Sequence, residues 1–198
     1  MSLLHSLKQL ESVKDIFEQL SNGKHIDANV NDDWWRLLQG EHGGEYETLF
    51  KFLGKTLVVD SRGFAYFNFD DSNQKAAKQI ALLFLIILDK KHSDGADLLK
   101  FTNWTLNAAF FEALREKNQD LLIQEKLEKD EPWNKVVHKA ELLGLLMKVD
   151  GGYKMMNACW RFIDLYQQLA EGLVEEDSSD DEDRISDESE EDVEEDEI

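Results

Sequence analysis

Cysteine and proline are almost absent from this sequence of 198 residues, in which each occurs once, as Cys159 and Pro132. A single cysteine can neither form a disulfide within the chain nor build a zinc site of several cysteines, so a reducing compartment is expected. Long apolar runs are missing too, because the most apolar stretch, residues 80–88, is about half of the roughly 20 residues that a membrane-crossing helix needs. The first residues lack the pattern of an export signal. We therefore expect a cytoplasmic protein with no membrane segment.

Motifs that mark enzymes and bound cofactors are also missing. The five histidines are scattered at spacings that suit no metal site. Residues 54–56, Gly-Lys-Thr, resemble the end of a phosphate-binding loop, but position 49 holds Leu where that loop needs Gly. Cys159 lies on an apolar stripe, which predicts a buried and unreactive thiol. We expect no catalytic residue, no cofactor and no metal, and an unrecognised enzyme is the least favoured class of function.

Negative charge dominates the chain, whose formal net charge is −20. Residues 175–198 contain sixteen Asp or Glu residues and one Arg, so they carry −15 and leave −5 for residues 1–174. The segment alternates Ser with acidic residues, and so few apolar side chains cannot offset the entropy lost on ordering. The sequence therefore predicts a disordered acidic tail over residues 174–198. Its role stays open between solubilising the chain and contacting a basic surface.

The first third of the chain has the pattern of helices followed by a hairpin. Apolar residues recur every three or four positions between Leu3 and Leu20, which predicts an amphipathic helix. Two shorter helices are predicted around residues 34–38 and 46–53. β-Branched and aromatic residues then flank a turn at residues 60–63, and this pattern is typical of a β-hairpin.

The same order recurs in the middle of the chain. Residues 80–88 are apolar on almost all sides of a predicted helix, so this helix needs cover from its own domain or from a partner chain. Gly151 and Gly152 accept the positive φ of a tight turn and predict the second hairpin. The predicted elements are helices at 74–90, 105–117, 132–143 and 159–173 and a hairpin at 145–156, with residues 118–130 unassigned.

Helices followed by a hairpin are the layout of winged-helix domains, in which the hairpin is the wing. The repeated order therefore predicts a mainly α protein with small β-hairpins (α+β). We expect tandem winged-helix domains, one over residues 1–70 and one over residues 71–173, followed by the acidic tail. Element order alone does not assign a function.

The helix after Pro132 carries the candidate binding residues. Lys135, His138 and Lys139 recur at steps of three and four opposite the apolar stripe, and Lys148 and Lys154 lie on the adjoining hairpin. Lysine neutralises phosphate without reading base sequence. These five residues are thus candidates for weak, non-specific contact with double-stranded DNA. The alternative is an ordinary solvated helix face.

Several segments of the chain also resemble the MukE and MksE family. They lie after the first helix, before and within the first hairpin, in the apolar helix and at the entry to the second hairpin. The segments are Gly23-Lys24-His25-Ile26, Phe52-Leu53-Gly54, Arg62-Gly63-Phe64-Ala65-Tyr66-Phe67, residues 82–88 and Leu142-Leu143-Gly144-Leu145.

The resemblance implies tandem winged-helix domains in a non-enzymatic accessory subunit of a bacterial SMC–kleisin complex of the MukBEF or MksBEF type. Such a subunit would form a homodimer, bind a MukF- or MksF-like kleisin and act indirectly with a MukB- or MksB-like ATPase. It would help to clamp DNA at the nucleoid, in chromosome organisation and segregation or in plasmid defence. The family's DNA-contacting residues, commonly Arg, correspond loosely to Lys135, Lys139, Lys148 and Lys154.

A free-standing winged-helix transcription regulator is the alternative function. It would bind a short duplex by itself and with sequence preference. The acidity of this chain speaks against it, since such regulators ordinarily carry a basic footprint.

Overall fold

The computed structural model describes residues 11–68 and 74–168 of the chain. The described residues up to Ile163 belong to one compact unit, and a second unit begins at Asp164, where residues 164–168 are helical. The described chain is mainly α-helical with two small antiparallel sheets, which confirms the predicted fold class. The predicted acidic tail, like the start of the first predicted helix, lies outside the described residues.

The first half of the chain, residues 11–68, contains three helices and three strands. The second helix is capped by Asn31, whose side-chain Oδ1 accepts a hydrogen bond from the backbone N–H of Trp34 at 3.2 Å. Such a cap satisfies a backbone donor that has no partner within the helix. The elements are α1 (Val13–Ser21), β1 (Ile26–Asp27), α2 (Asp32–Gln39), α3 (Gly43–Phe52), β2 (Thr56–Asp60) and β3 (Phe64–Asn68).

The hairpin predicted from the sequence is confirmed as β2 and β3, which pair with Val58 opposite Tyr66. The sheet has a third strand, because β1 pairs with the other edge of β3 and places Ile26 opposite Ala65. The strand order is therefore β1-β3-β2. Sequence patterning missed β1 because two residues are too short to show an alternating period.

A core of aliphatic and aromatic side chains joins the helices of the first half to its sheet. Phe50 of α3 lies edge-on to Phe67 of β3, with 5.2 Å between ring centroids, as aromatic pairs prefer. The buried members of this core are Ile16, Leu20, Ile26, Leu38, Tyr46, Phe50, Leu57, Ala65 and Phe67.

The second half, residues 74–163, repeats the plan with more helices. Its elements are α4 (Gln74–Ser93), a 3-10 turn (Leu98–Asn103), β4 (Thr105–Leu106), α5 (Ala108–Lys117), α6 (Gln119–Gln124), α7 (Asp130–Leu142), β5 (Leu146–Val149), β6 (Gly152–Met155) and a second 3-10 turn (Asn157–Cys159). A last helix begins at residue 160. The second sheet has the order β4-β6-β5, so again an early strand joins the outer side of a hairpin.

Two details of the second half differ from the prediction. The helix expected from about Thr105 begins only at Ala108, because Thr105 and Leu106 pair with β6. The side chain of Asn107 then caps α5 by accepting from the N–H of Phe110 at 2.8 Å. The segment left unassigned, residues 118–130, contains α6.

The apolar helix α4 obtains its cover from the chain itself. Leu83, Phe84 and Ile87 are buried, and the ring of Phe84 stacks on Phe162 with 4.5 Å between centroids. Ala81, Leu82 and Leu85 are partly buried. The sequence left open whether its own domain or a partner chain covers this helix, and the described residues show cover from its own domain.

Polar side chains join the two halves at what we call the polar junction, formed by Asp27, Gly63, Asn157, His25, Leu143 and Arg161. Asp27 is 4% exposed, and its Oδ2 accepts the backbone N–H of Asn157 at 2.6 Å. The amide of Asn157 in turn donates to Asp27 Oδ1 and to the carbonyl of Gly63, each at 3.3 Å. The carboxylate thus caps the start of a helical segment from the other half, as an N-cap residue does within one helix.

His25 forms the second part of the polar junction. Its backbone N–H and its Nδ1 both donate to the carbonyl of Leu143, each at 2.9 Å. Leu143 follows α7, so these donors satisfy a carbonyl at the end of that helix. Arg161 donates from Nη1 to His25 Nε2 at 3.1 Å, and its guanidinium lies 4.0 Å from the centroid of the Tyr66 ring.

These contacts keep His25 neutral. The pKa of His25 is lowered from 6.5 to about 4, chiefly by burial and in smaller part by the positive charge of Arg161, while the hydrogen bond to the Leu143 carbonyl acts in the opposite sense. A neutral ring with its proton on Nδ1 fits both contacts, because Nε2 must accept from Arg161. Burial raises the pKa of Asp27, although backbone N–H groups of Asn29, Asn157 and Ala158 oppose that shift.

The packing at the polar junction predicts the effect of Gly63→Ala. Gly63 has a φ of +98°, and a Cβ at this position would lie 2.7 Å from Nδ2 of Asn157. We expect a loss of about 2 kcal/mol in the free energy of unfolding, measured by urea denaturation, from strain and steric conflict together. Gly95→Ala is the matched control, since its φ is +76° but nothing lies within 4 Å of the added Cβ. Equal losses in both variants would contradict the proposed packing.

The neutral state of His25 predicts a pH dependence of stability. The unfolded chain takes up a proton on His25 near pH 6.5, whereas the folded chain resists protonation until about pH 4. This contribution is fully present above pH 6.5 and is lost as the pH falls toward 4, by roughly 3 kcal/mol. Denaturation at a series of pH values should show the loss in the wild type and a shallower slope in His25→Gln. Parallel curves for the two proteins would contradict the prediction.

Candidate nucleic-acid interface

The candidate helix of the sequence analysis is α7, and its exposed side carries three of the five predicted residues. Lys135, His138 and Lys139 are exposed to solvent. The opposite stripe of α7 is buried against the rest of the second half and comprises Trp133, Val136, Val137 and Ala140. The arrangement of apolar side chains therefore fixes which side of the helix faces solvent.

The start of α7 is held by a contact with α5. Arg115 donates from Nη1 to Asp130 Oδ1 at 2.6 Å and from Nη2 to the carbonyl of Glu128 at 2.8 Å. Asp130 and Glu131 lie in the first turn, where negative charge interacts favourably with the helix dipole. The exposed side of α7 is thus anchored at both ends, by Arg115 at its start and by His25 beyond its end.

Carboxylates on α7 itself engage two of its three candidate residues. Lys135 Nζ lies 2.6 Å from Glu131 Oε1, and His138 Nδ1 lies 3.4 Å from Glu141 Oε2. The hydrogen bond from Lys135 lowers the pKa of Glu131. Within the described part of the chain, Lys139 has no carboxylate within 4.0 Å of its Nζ. These ion pairs are exposed and weak, so a phosphate can displace them.

Lys148 and Lys154 extend from opposite faces of the second sheet. In the register of β5 and β6, Lys148 lies opposite Tyr153 and Lys154 lies opposite Met147. Because neighbouring residues of a strand point to opposite faces, adjacent register pairs do too. The structure therefore does not bring these two lysines to one face, and only one of them can continue the surface of α7.

The structure adds two lysines that sequence analysis missed. A cavity of about 440 Å³ lies between α4 and α7, and Lys75, Lys126, Lys135 and Lys139 surround it. The cavity is lined between these lysines by apolar side chains, among them Ile80, Leu127 and Val136. We call this feature the lysine cavity. Its lysines come from three separate segments, so no spacing in the sequence could have grouped them.

Two adjacent tryptophans and the single cysteine lie in the core or beside it. Trp34 and Trp35 could stack on bases only if exposed, but both pack against the core of the first half. Cys159 is buried, and its Sγ lies 3.1 Å from the carbonyl of Leu145. The expected burial is thus confirmed, and it raises the pKa of the thiol far above the ordinary range, which disfavours the reactive thiolate.

In residues 11–68 and 74–168, no group of three or more His, Cys, Asp or Glu side chains is placed to hold a metal ion. Over the same ranges, no helix is both long enough and apolar enough to span a bilayer.

The backbone at Lys126 predicts opposite effects for two glycine substitutions. Lys126 has a φ of +59°, which costs a residue with a side chain roughly 1 kcal/mol. We expect Lys126→Gly to leave the free energy of unfolding unchanged or to raise it by up to about 1 kcal/mol. Lys139→Gly, in the last turn of α7, should instead lower it by roughly 0.5 to 1 kcal/mol. Denaturation of both variants tests this, and losses of equal size would contradict the left-handed conformation of Lys126.

Comparison with known proteins identifies the family. No curated protein matches this chain. A family model described as condensin complex protein MksE matches residues 11–167, which cover most of the sequence and both halves of the described structure. The family is that of a subunit of a condensin-like complex. The chain therefore belongs to the MksE family of condensin complex proteins.

Proposed function

We propose that this chain is a non-enzymatic accessory subunit of a bacterial SMC–kleisin complex of the MukBEF or MksBEF type. Its direct partner is a MukF- or MksF-like kleisin, through which it works with a MukB- or MksB-like ATPase. The match to the MksE family over residues 11–167 carries this proposal. The complex organises and segregates chromosomes or acts in plasmid defence. The subunit therefore works in the cytoplasm, at the nucleoid, and it does so as a homodimer.

The topology supports a tandem winged-helix architecture with domains over residues 1–70 and 71–173. In each half, a two-residue strand that precedes the hairpin in the chain pairs with the second strand of the hairpin, giving the orders β1-β3-β2 and β4-β6-β5. In each half the helix that precedes the hairpin is the one that a winged-helix protein lays on DNA. That helix is α7 in the second half.

The DNA contact proposed here is weak and independent of base sequence. Lys135, His138 and Lys139 lie together on α7, and Lys148 or Lys154 extends their surface on one side of the hairpin. Lysine ammonium groups neutralise phosphates, and each contact adds about −0.9 to the slope of log affinity against log salt. Since residues 1–174 carry a net charge of −5, this surface needs the remaining subunits of the complex to hold DNA firmly.

Co-purification with a kleisin tests the assembly. Tagged kleisin from the same genome, expressed with this chain, should retain it through size-exclusion chromatography at physiological salt. A chain that elutes alone, while a short duplex binds it tightly and with sequence preference, would favour the free-standing regulator and contradict the proposal.

The DNA contact is tested in the assembled complex. Lys135→Glu together with Lys139→Glu should weaken binding of duplex DNA by about tenfold, because each change replaces attraction to phosphate by repulsion. Lys14→Glu is the control, since Lys14 is an exposed lysine on α1, with 84% of its side chain accessible. Equal affinity of all three complexes would remove α7 from the interface.

A further inference from the structure

The lysine cavity differs in kind from a flat basic surface. Four lysines surround it, and of these only Lys135 has a carboxylate within 4.0 Å in the described chain, the Oε1 of Glu131. Lys75, Lys126 and Lys139 carry no such partner among residues 11–68 and 74–168. Four positive charges with one paired carboxylate leave a local excess of positive charge on a chain that is acidic as a whole. An anionic ligand complements that excess.

The shape of the cavity narrows the chemistry of its ligand. Its volume of about 440 Å³ lies in the range of ligand-binding clefts. Apolar atoms supply most of the surface that the cavity exposes. Ile80 of α4, Val136 of α7 and Leu127 form its floor, where they are themselves only 6%, 6% and 1% exposed. A site that combines an apolar floor with charged groups at its rim fits a ligand that has both apolar and anionic groups.

The walls of the cavity are held in place by contacts outside it. Lys78 Nζ lies 2.6 Å from Glu125 Oε1, and Gln79 Nε2 donates to the carbonyl of Glu125 at 3.3 Å. The N–H of Leu127 donates to the carbonyl of Leu122 at 2.7 Å. The turn that carries Lys126 is therefore fixed against α4, and Lys126 itself adopts a left-handed conformation there. The cavity is present before any ligand binds, which lowers the entropic cost of binding.

We propose that the lysine cavity binds an acidic peptide segment of a partner protein, with one aliphatic or aromatic side chain on the apolar floor of the cavity and flanking carboxylates on the lysines. A DNA backbone fits less well. Phosphates lie on a convex surface and carry no apolar group that reaches into a concave site, so the floor would remain uncovered. This inference goes beyond the proposed contact of α7 with DNA, and it stands without that contact.

Binding to the lysine cavity should require both anionic and apolar groups in the ligand. The probe is a fluorescein-labelled synthetic peptide of Asp and Glu residues around a central Leu-Leu pair, and its partner peptide has Ser-Ser in place of Leu-Leu. Fluorescence anisotropy with the full chain should show binding of the Leu peptide, with affinity at least about tenfold higher than for the Ser peptide, since each buried aliphatic side chain contributes strongly. Equal binding of the two peptides, or none of the Leu peptide, would overturn the proposal.

The site is located with charge reversals at the two lysines that lie on the cavity and outside the predicted DNA-binding residues. Lys75→Glu combined with Lys126→Glu should weaken binding of the Leu peptide by at least about tenfold. Lys14→Glu, on α1, should change it by less than about twofold, as expected for an exposed charge outside the site. Circular dichroism of each variant checks that it is folded.

Labelled duplex DNA forms the last arm of the experiment. The double variant should lose peptide binding by a larger factor than DNA binding, and Lys148→Glu should leave peptide binding unchanged. A double variant that loses DNA binding by the same factor as peptide binding would show a general basic surface and overturn the proposal. The peptide measurements do not depend on DNA binding or on a kleisin, so failure of the proposed function leaves them intact.

Discussion

The carboxylate of Asp27 is the contact on which the arrangement of the two halves depends. It is buried at the end of β1, where it receives the backbone N–H of Asn157 at 2.6 Å from the start of the last helical segment. A buried carboxylate is costly unless hydrogen-bond donors surround it, and most of its donors come from the other half. The two halves therefore need each other at this point. Without the second half the Asp27 carboxylate would lose hydrogen-bond donors, and without the first half the helical segment that starts at Asn157 would lose its cap.

The polar junction also determines where the exposed side of α7 lies relative to the first half. Leu143 follows α7 directly, and its carbonyl receives both donors of His25. Residues 25–27 of the first half thus contact two helix ends of the second half. His25 donates to the carbonyl at the end of α7, and Asp27 accepts from the N–H at the start of the last helical segment. Because α7 carries Lys135 and Lys139 and forms one wall of the lysine cavity, both candidate surfaces share this orientation. In a multi-subunit complex, a fixed orientation lets one subunit present two surfaces to different partners.

The sequence predicted the features that depend on local periodicity. Alternating and three-to-four spacing located the main helices and both hairpins, and the apolar stripe of α7 identified its solvent side through Val136 and Ala140. Periodicity did not reveal β1 or β4. Each has only two residues and forms a strand by pairing with a hairpin that is distant in sequence. The same limit applies to the candidate surfaces. Lys75 and Lys126 join Lys135 only through packing of α4 on α7, and the opposed directions of Lys148 and Lys154 follow from strand register.

Scanning calorimetry of Asp27→Ala tests the central claim most directly. Asp94→Ala is the matched control, because Asp94 is an exposed carboxylate that forms an ion pair with Lys90 at the C-terminal end of α4, within the second half of the chain. The polar junction predicts that loss of the Asp27 carboxylate lowers the midpoint of thermal unfolding by several degrees, while the control stays close to the wild type. An Asp27→Ala protein that unfolds at the wild-type midpoint would contradict the account.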